Sequence, residues 1–398
     1  LYHDILIYTR NADKDITLTF QNANVSTYKV INNGGTHKAN VVVNASKMDV
    51  DNFYVNSLTL NDCYFENPEN VFQDGRVYDQ SIEAEAASAR IDADAYDIVI
   101  NNTSVYAWTA NDILADGGNF RYDDATKTLY IADGIGFYPN AYSAIEIYDQ
   151  DLNIVFEGDG DIASEGNSTI VGHYTEPHKL NIYVKSSHYA ALGCDALNMP
   201  VIDLGTLGEL NLNGTGDYFI EQYSYNAPTA PVIIAGSVNI NAPVEITNYD
   251  PAATTDVFSQ MGKVTLGDLV EITTSGIQYT AGAPLVNTNS FTCLQLDITG
   301  KKIPGLDELA VNNSQVTMDN KDDILSDGGS VYFDMDSYHL CLKKAKINEH
   351  NFHAIYSAGS LTIDVYGDCR IRSTQNHGIY AEKSLAIFGK TPDARLLV

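Results

Sequence analysis

Basic residues are scarce in this chain: Lys and Arg number 23 against 52 Asp and Glu, so the formal charge is 23 − 52 = −29. A field of that sign repels nucleic-acid phosphates and anionic lipid and suits neutral or cationic partners. No nucleic-acid partner is expected. No apolar run approaches the ~20 residues that span a bilayer, so no membrane insertion is expected either. The five cysteines, Cys63, Cys194, Cys293, Cys341 and Cys369, are widely scattered and form no CxxC pair. That excludes zinc-finger and thioredoxin-like readings and leaves no disulfide framework. They read as buried apolar thiols. Amphipathic runs at 3.6-residue spacing are nearly missing. One short helix at 109–116, capped by Gly117, is the sole candidate. There is no phosphate loop, no dinucleotide fingerprint and no Ser-His-Asp context. The chain opens on Leu1 without a visible leader, which reads as a processed or trimmed chain.

What the chain has is self-similarity. Asp112-Ile113-Leu114-Ala115-Asp116-Gly117-Gly118 recurs as Asp323-Ile324-Leu325-Ser326-Asp327-Gly328-Gly329, an offset of 323 − 112 = 211. Asn102 to Val105 matches Asn313 to Val316 upstream. Downstream, Leu129 and Ile131 match Leu340 and Leu342. Ala144-Ile145 then matches Ala354-Ile355, and Gly158 and Ile162 match Gly367 and Ile371 at an offset that has drifted to 209. Small insertions in surface turns explain such drift. Leu58-Thr59-Leu60-Asn61-Asp62 resembles Val264-Thr265-Leu266-Gly267-Asp268. Three stretches result: 1–94 as the end of one long unit, 95–305 as a complete unit, and 306–398 as the start of another. We expect them to stack in one continuous solenoid.

A shorter period lies inside the units. Leu152-Asn153-Ile154, Leu180-Asn181-Ile182, Leu210-Asn211-Leu212, Val238-Asn239-Ile240, Val264-Thr265-Leu266 and Leu294-Gln295-Leu296 follow at gaps of 28, 30, 28, 26 and 30. Ile355 and Ile379, and Leu361 and Leu385, are each 24 apart. An apolar-polar-apolar triplet has the strand period of two. One such strand cannot bury its apolar side alone, but equivalent strands stacked about 4.8 Å apart make that side continuous. Intervening Gly, Asn, Asp and Ser supply the turns. The fold expected is all-β: a right-handed parallel β-helix (β-solenoid) with rungs of about 24–30 residues. Leucine-rich repeats are the runner-up, but their fixed Leu and Asn register is not kept. Val398 follows a complete rung marker at 385–387 without a distinctive cap. Either a longer natural chain or a partner is expected to cover that end.

The run Asn320 to Gly329, then Tyr332-Phe333-Asp334, the strand Leu340 to Leu342, His353 to Ile363 and His377 to Glu382 also carry a resemblance. Their order resembles the β-helical repeat modules of large secreted or cell-wall adhesin-like proteins of host-associated bacteria, modules often labelled carbohydrate-binding. It is clear over about 306–390, fair over 96–165 and weak elsewhere. It implies a β-helix, an extracellular or cell-surface location, and adhesion or glycan binding. No functional residue carries over from it.

A β-helical polysaccharide hydrolase needs clustered aspartates on adjacent rungs. Asn376-His377-Gly378 and Arg370-Ile371-Arg372 stand in the wrong order for that and lack an Asn-Thr-Asp partner. His377 reads as a turn residue whose position repeats at His353. Asp123-Asp124 reads as a hairpin turn, and Asp322-Asp323 as a helix cap. Calcium is the one cofactor considered, at Asp116-Gly117-Gly118, Asp159-Gly160-Asp161 or Asp327-Gly328-Gly329. None has EF-hand or nonapeptide spacing, so turns are the expected role and no metal ligand is assigned. Tyrosine is abundant, at 26 residues against one tryptophan, Trp108. Exposed tyrosines along one face, Tyr174, Tyr183, Tyr189, Tyr218, Tyr223 and Tyr225, are the candidate glycan contacts. The reading is a non-enzymatic extracellular repeat protein for adhesion or glycan binding, with host or dietary glycans or a surface protein as partner. A β-helix polysaccharide lyase or glycoside hydrolase, and a passive surface stalk, are the alternatives.

Overall fold

The computed structural model describes residues 5–7, 14–32, 37–86, 88–185, 187–224, 231–301, 306, 309–317, 320–335 and 337–398. Every regular element among them is a β-strand, and stacked parallel strands form a β-solenoid of about 15 turns. No helix long and apolar enough to cross a membrane occurs among the described residues.

Five of the six triplets lie on one parallel ladder. Its strands are Thr128–Ile131, Leu152–Phe156, His178–Val184, Gly208–Gly214, Ile233–Ile240 and Gln260–Leu266. Leu152 stands beside Leu180, Leu180 beside Leu210, Leu210 beside Val238, and Val238 beside Val264. The apolar members face inward and are fully buried, apart from half-buried Leu266, whereas the residue between them faces out. Each such Leu or Ile contributes about 1.5–3 kcal/mol of burial. A second ladder joins Ile135–Phe137, Gly160–Ser164, Tyr189–Cys194, Asp217–Gln222 and Val244–Asn248. A third joins Ile145–Tyr148, Ile170–His173, Ile202–Asp203 and the first residues of Ile233–Ile240. A complete rung thus gives one strand to each of three ladders. Where the third ladder turns into the first, backbones crowd. A Cβ on Gly236 would lie 2.2 Å from the Thr206 carbonyl oxygen, and one on Gly262 would lie 2.2 Å from that of Gly236.

The sixth triplet departs from the expected stack. Strand Gln295–Gly300 runs antiparallel beside Val244–Asn248, with Leu296 opposite Ile246, and antiparallel beside Val270–Ile272. Alternation of period two is blind to strand direction, so the pattern at 294–296 could not reveal this. The expected helix at 109–116 is also replaced. Thr109, Asp112 and Ala115 donate their N–H groups three residues back, to Tyr106, Thr109 and Asp112. Ala115, Gly117 and Gly118 have φ of 53°, 94° and 84°. The Asp112 carboxylate accepts from the N–H of Asp116 and of Gly118, both at 2.9 Å, and so competes with a helical ladder. Asp323 does the same for Asp327 and Gly328, both at 3.0 Å, so it caps a turn rather than a helix.

Strand pairing among the described residues falls into three groups, 5–92, 98–300 and 309–397, and does not cross between them. Each has its own apolar core. Leu269, from the second group, packs against the core of the third. The second and third groups open alike. Hairpin Ile98–Ile100 with Thr103–Ser104 lies antiparallel to Ile145–Tyr148, and Leu309–Val311 with Ser314–Gln315 lies antiparallel to Ile355–Ser357. Both then form a second hairpin, Phe120–Asp123 with Thr128–Ile131 and Val331–Asp334 with His339–Lys343. This is the structural form of the 211-residue offset. An antiparallel opening strand covers an edge that would otherwise present free N–H and C=O groups.

All five cysteines are free. Four are buried and Cys63 is half-buried. Burial pushes the Cys194 thiol up to about 11, which makes it unreactive at neutral pH.

Candidate functional site

Of the six expected tyrosines, the five that are described do not form one stripe. Tyr218 is fully buried on the second ladder, with its hydroxyl 2.6 Å from the Asn213 carbonyl and 2.9 Å from that of Ile182. Burial pushes its hydroxyl pKa far up. It is a core residue, because its position in Asp217–Gln222 is an inward one. Tyr174 follows the third ladder and packs half-buried against the core and His178. Tyr189 and Tyr223 belong to the second ladder's side. Tyr223 stacks on Tyr249 at 5.6 Å, and both hydroxyls donate to Glu221. Tyr225 lies outside the described residues. Only Tyr183 projects from the first ladder, where it is 39% exposed.

The outward side of that first ladder holds the best-built surface. Asn153, Asn181, Asn211 and Asn239 stand in register, one per rung. Asn181 donates to the Asn153 side-chain oxygen at 2.9 Å, Asn211 to Asn181 at 2.9 Å, and Asn239 to Asn211 at 2.7 Å. The far members spend their second amide hydrogen on Glu209, at 3.2 Å each. Asn153 donates its own to the Thr126 carbonyl at 3.0 Å. An asparagine amide has two N–H groups and two lone pairs. Among the described residues, Asn153 and Asn181 therefore each keep one N–H uncommitted.

A parallel row runs beside these amides: Tyr130, Val155, Tyr183 and Asn213. Tyr130 and Tyr183 are two rungs apart, about 10 Å, with the shorter Val155 between them. Two rings with a low floor make a shallow groove of about 520 Å³, edged by Asn153 and Asn181. The Arg121 guanidinium lies 5.3 Å from the Tyr130 ring centre and bonds Glu157 at 2.7 Å, which fixes one wall. Apolar ring faces beside fixed amides suit a ligand with both C–H faces and hydroxyls.

The acids have other work. Turn aspartates accept a backbone N–H from the next rung: Asp133 from Asp159 at 2.9 Å, Asp151 from Lys179 at 2.8 Å, and Asp159 from Tyr189 at 3.1 Å. Asp15 does so for Lys38 at 2.8 Å. On the second ladder's outer side, Tyr138 donates to Asp161 at 2.6 Å, and that carboxylate pushes the phenol up to about 12. Asp123 accepts from Ala125 at 3.1 Å in the hairpin turn expected there.

Of the three calcium candidates, Asp159 alone joins a cluster with metal-ligand geometry. Its carboxylate, that of Asp133 and the His188 ring lie within 4.8 Å of one another. The donors fit calcium poorly. Calcium takes six to eight oxygens, whereas this corner offers two carboxylates and a nitrogen. Both carboxylates already serve backbone N–H groups.

The groove's amides and Tyr130 were not among the expected site residues. Their signal lay in the triplets, four of which have Asn at the centre. No family model, no curated protein and no solved structure matches the chain.

Proposed function

We propose that the chain is a non-enzymatic glycan-binding module of an extracellular or cell-surface protein, serving adhesion. The observation that carries this reading is the groove between Tyr130 and Tyr183, where two uncommitted amide N–H groups line a strip with aromatic walls. A sugar ring stacks its C–H face on an aromatic ring and presents hydroxyls to amides beside it. The ladder amides hold one another in place, so little ordering remains to be done on binding. The turn carboxylates Asp133, Asp151 and Asp159 cap backbone N–H groups, and the outward Asp161 and Glu221 accept from tyrosine hydroxyls. That favours binding over a lyase or hydrolase, which needs free carboxylates about the scissile bond.

A glycan-array screen of the full chain, followed by calorimetry on the best neutral oligosaccharide, tests this. Tyr183→Ala should weaken binding about tenfold or more while leaving the melting midpoint unchanged. Depolymerisation of any bound polysaccharide would support the enzymatic alternative, and a chain that binds no glycan at all would support the stalk.

A further inference from the structure

We infer that the outer side of strands Lys346–Glu349 and Asp368–Ser373 is a second binding site, for an anionic polysaccharide. The two strands pair in parallel, with Lys346 beside Arg370 and Asn348 beside Arg372. Ile347, Cys369 and Ile371 fill the inward positions and are buried. Lys346, Arg370 and Arg372 therefore face out and are exposed. Lys344 stands at the preceding corner, and Arg395 lies on the next rung beside Asp368.

The charge balance here opposes that of the chain. Five cations, Lys344, Lys346, Arg370, Arg372 and Arg395, face three acids, Asp368, Glu349 and Asp393, a balance of 5 − 3 = +2 in a chain of −29. Asp368 lies 3.9 Å from Arg370. Glu349 spends one oxygen on the N–H groups of His350, Asn351 and Phe352. Asp393 is held below the ordinary carboxylate value, first by its hydrogen bond with Thr391 and also by Lys344. Lys346 and Arg372 have no ion pair among the described residues. Like charges directly beside each other on neighbouring strands are destabilising. The Lys346–Arg370 pair is thus a cost that an anion would remove.

The repeat shows that the scaffold does not require these cations. The match of Ile371 with Ile162 places Arg370 at the position of Asp161 and Arg372 at that of Ala163. Lys346 then corresponds to Gly136. The same place in the fold carries an acid bonded to Tyr138 in one unit and a row of cations in the other.

Charge complementarity names the occupant's chemistry. Arginine forks take carboxylates and sulfates with two parallel hydrogen bonds. Cations one rung apart, about 4.8 Å, meet such groups best when they are spaced along a polymer. Duplex nucleic acid, with one charge per about 1.7 Å, feels the repulsion of the whole chain more strongly. The choice of a polysaccharide over other anions rests on the glycan-binding reading above.

Calorimetry of the full chain at low and high salt tests the site. The ligands are polygalacturonate and chondroitin sulfate, with dextran as neutral control. A single-stranded oligonucleotide and phosphatidylserine vesicles are the competing anions. We expect at least one anionic polysaccharide to bind, to weaken as salt rises, and to lose about tenfold or more in R370Q/R372Q. K346Q, made separately, should weaken it less, and R370K/R372K should retain part of the affinity. Melting midpoints of K346Q and R370Q/R372Q should equal or slightly exceed the parent's, because the like-charge pair is relieved. The site is rejected if neither polysaccharide binds at low salt, or if R370Q/R372Q binds like the parent. Tighter binding of the oligonucleotide or vesicles rejects it too, as does salt-sensitive self-association that the same variant abolishes. Loss here with Tyr183-dependent binding intact sinks this site alone; the reverse result sinks the groove alone.

Discussion

Asn181 hands its side-chain amide to Asn153 one rung below, at 2.9 Å. The pair is the smallest unit of a chain that couples rungs through side chains as well as backbone, on the outer side of the ladder. It joins the stability of the stack to the surface we assign to ligand.

Replacing Asn181 by Ala removes the bond it gives and the bond it receives from Asn211. Asn153 stays partly accessible to water and buried Asn211 keeps Glu209 as an acceptor, so the cost should be about 1–2 kcal/mol. Urea unfolding followed by circular dichroism reads this. A midpoint equal to the parent's would mean that the amide row contributes nothing to stability.

Tyr218 and Tyr183 should behave oppositely. Tyr218→Phe takes the hydroxyl from two buried carbonyls, of Asn213 and Ile182, and should destabilise by about 1–2 kcal/mol without touching glycan affinity. Tyr183→Ala should do the reverse. If Tyr218→Phe weakened binding and left the midpoint alone, the placement of Tyr218 in the core would be wrong.

Two glycines test two different constraints. Gly236→Ala puts a Cβ 2.2 Å from backbone oxygen and should cost about 1–3 kcal/mol through displaced rungs. Gly117→Ala has open space but a φ of 94°, and should cost about 1 kcal/mol through backbone strain. Thermal melts of both variants decide; the ranking fails if Gly236→Ala proves the milder change.

Acid should loosen the repeated turns. The carboxyls of Asp112 and Asp323 are held below the ordinary value, first by the N–H of Gly118 and of Gly329 respectively. A carboxyl whose pKa is lower in the folded chain stabilises it above the unfolded value of about 3.9, and loses that contribution as pH falls through the folded one. The parent should thus lose stability between about pH 5 and 2, and D112N/D323N should lose less over that window. Parallel pH dependence in the two proteins would remove these turns from the account.

Calcium should be dispensable. The corner of Asp133, Asp159 and His188 lacks the oxygens that calcium needs. Adding calcium and then a chelator should move the melting temperature by less than about 2 °C, since only a ligand well above its Kd stabilises measurably. A dose-dependent rise of several degrees would contradict this.

Much of the fold was legible because a solenoid repeats its own evidence. The spacings at Leu152, Leu180, Leu210, Val238 and Val264 are the registers of the ladder. The site was less legible. Tyr183 alternates with Ile182 and Val184 and so is outward by local parity, whereas Tyr218, Phe219 and Ile220 are apolar on both parities and left the side of Tyr218 open. The turn at 109–116 looked helical because three-residue and four-residue hydrogen bonding share the same residue types over one turn. It was decided by Asp112 reaching the N–H groups of Asp116 and Gly118.

The order of apolar and polar residues by itself determined that this chain forms stacked strands, how long a rung is, and that two long units share one plan. Alternation and spacing are local, and they survive any choice of partner. Tertiary structure alone decided strand direction at 295–300, how the described strands group into separate sheets, and which tyrosines meet solvent. It also decided that, among the described residues, Asn153 and Asn181 keep an uncommitted N–H while their neighbours spend theirs on Glu209. Those outcomes depend on residues 20 to 50 positions away arriving at one rung, and no run of neighbouring letters carries that distance.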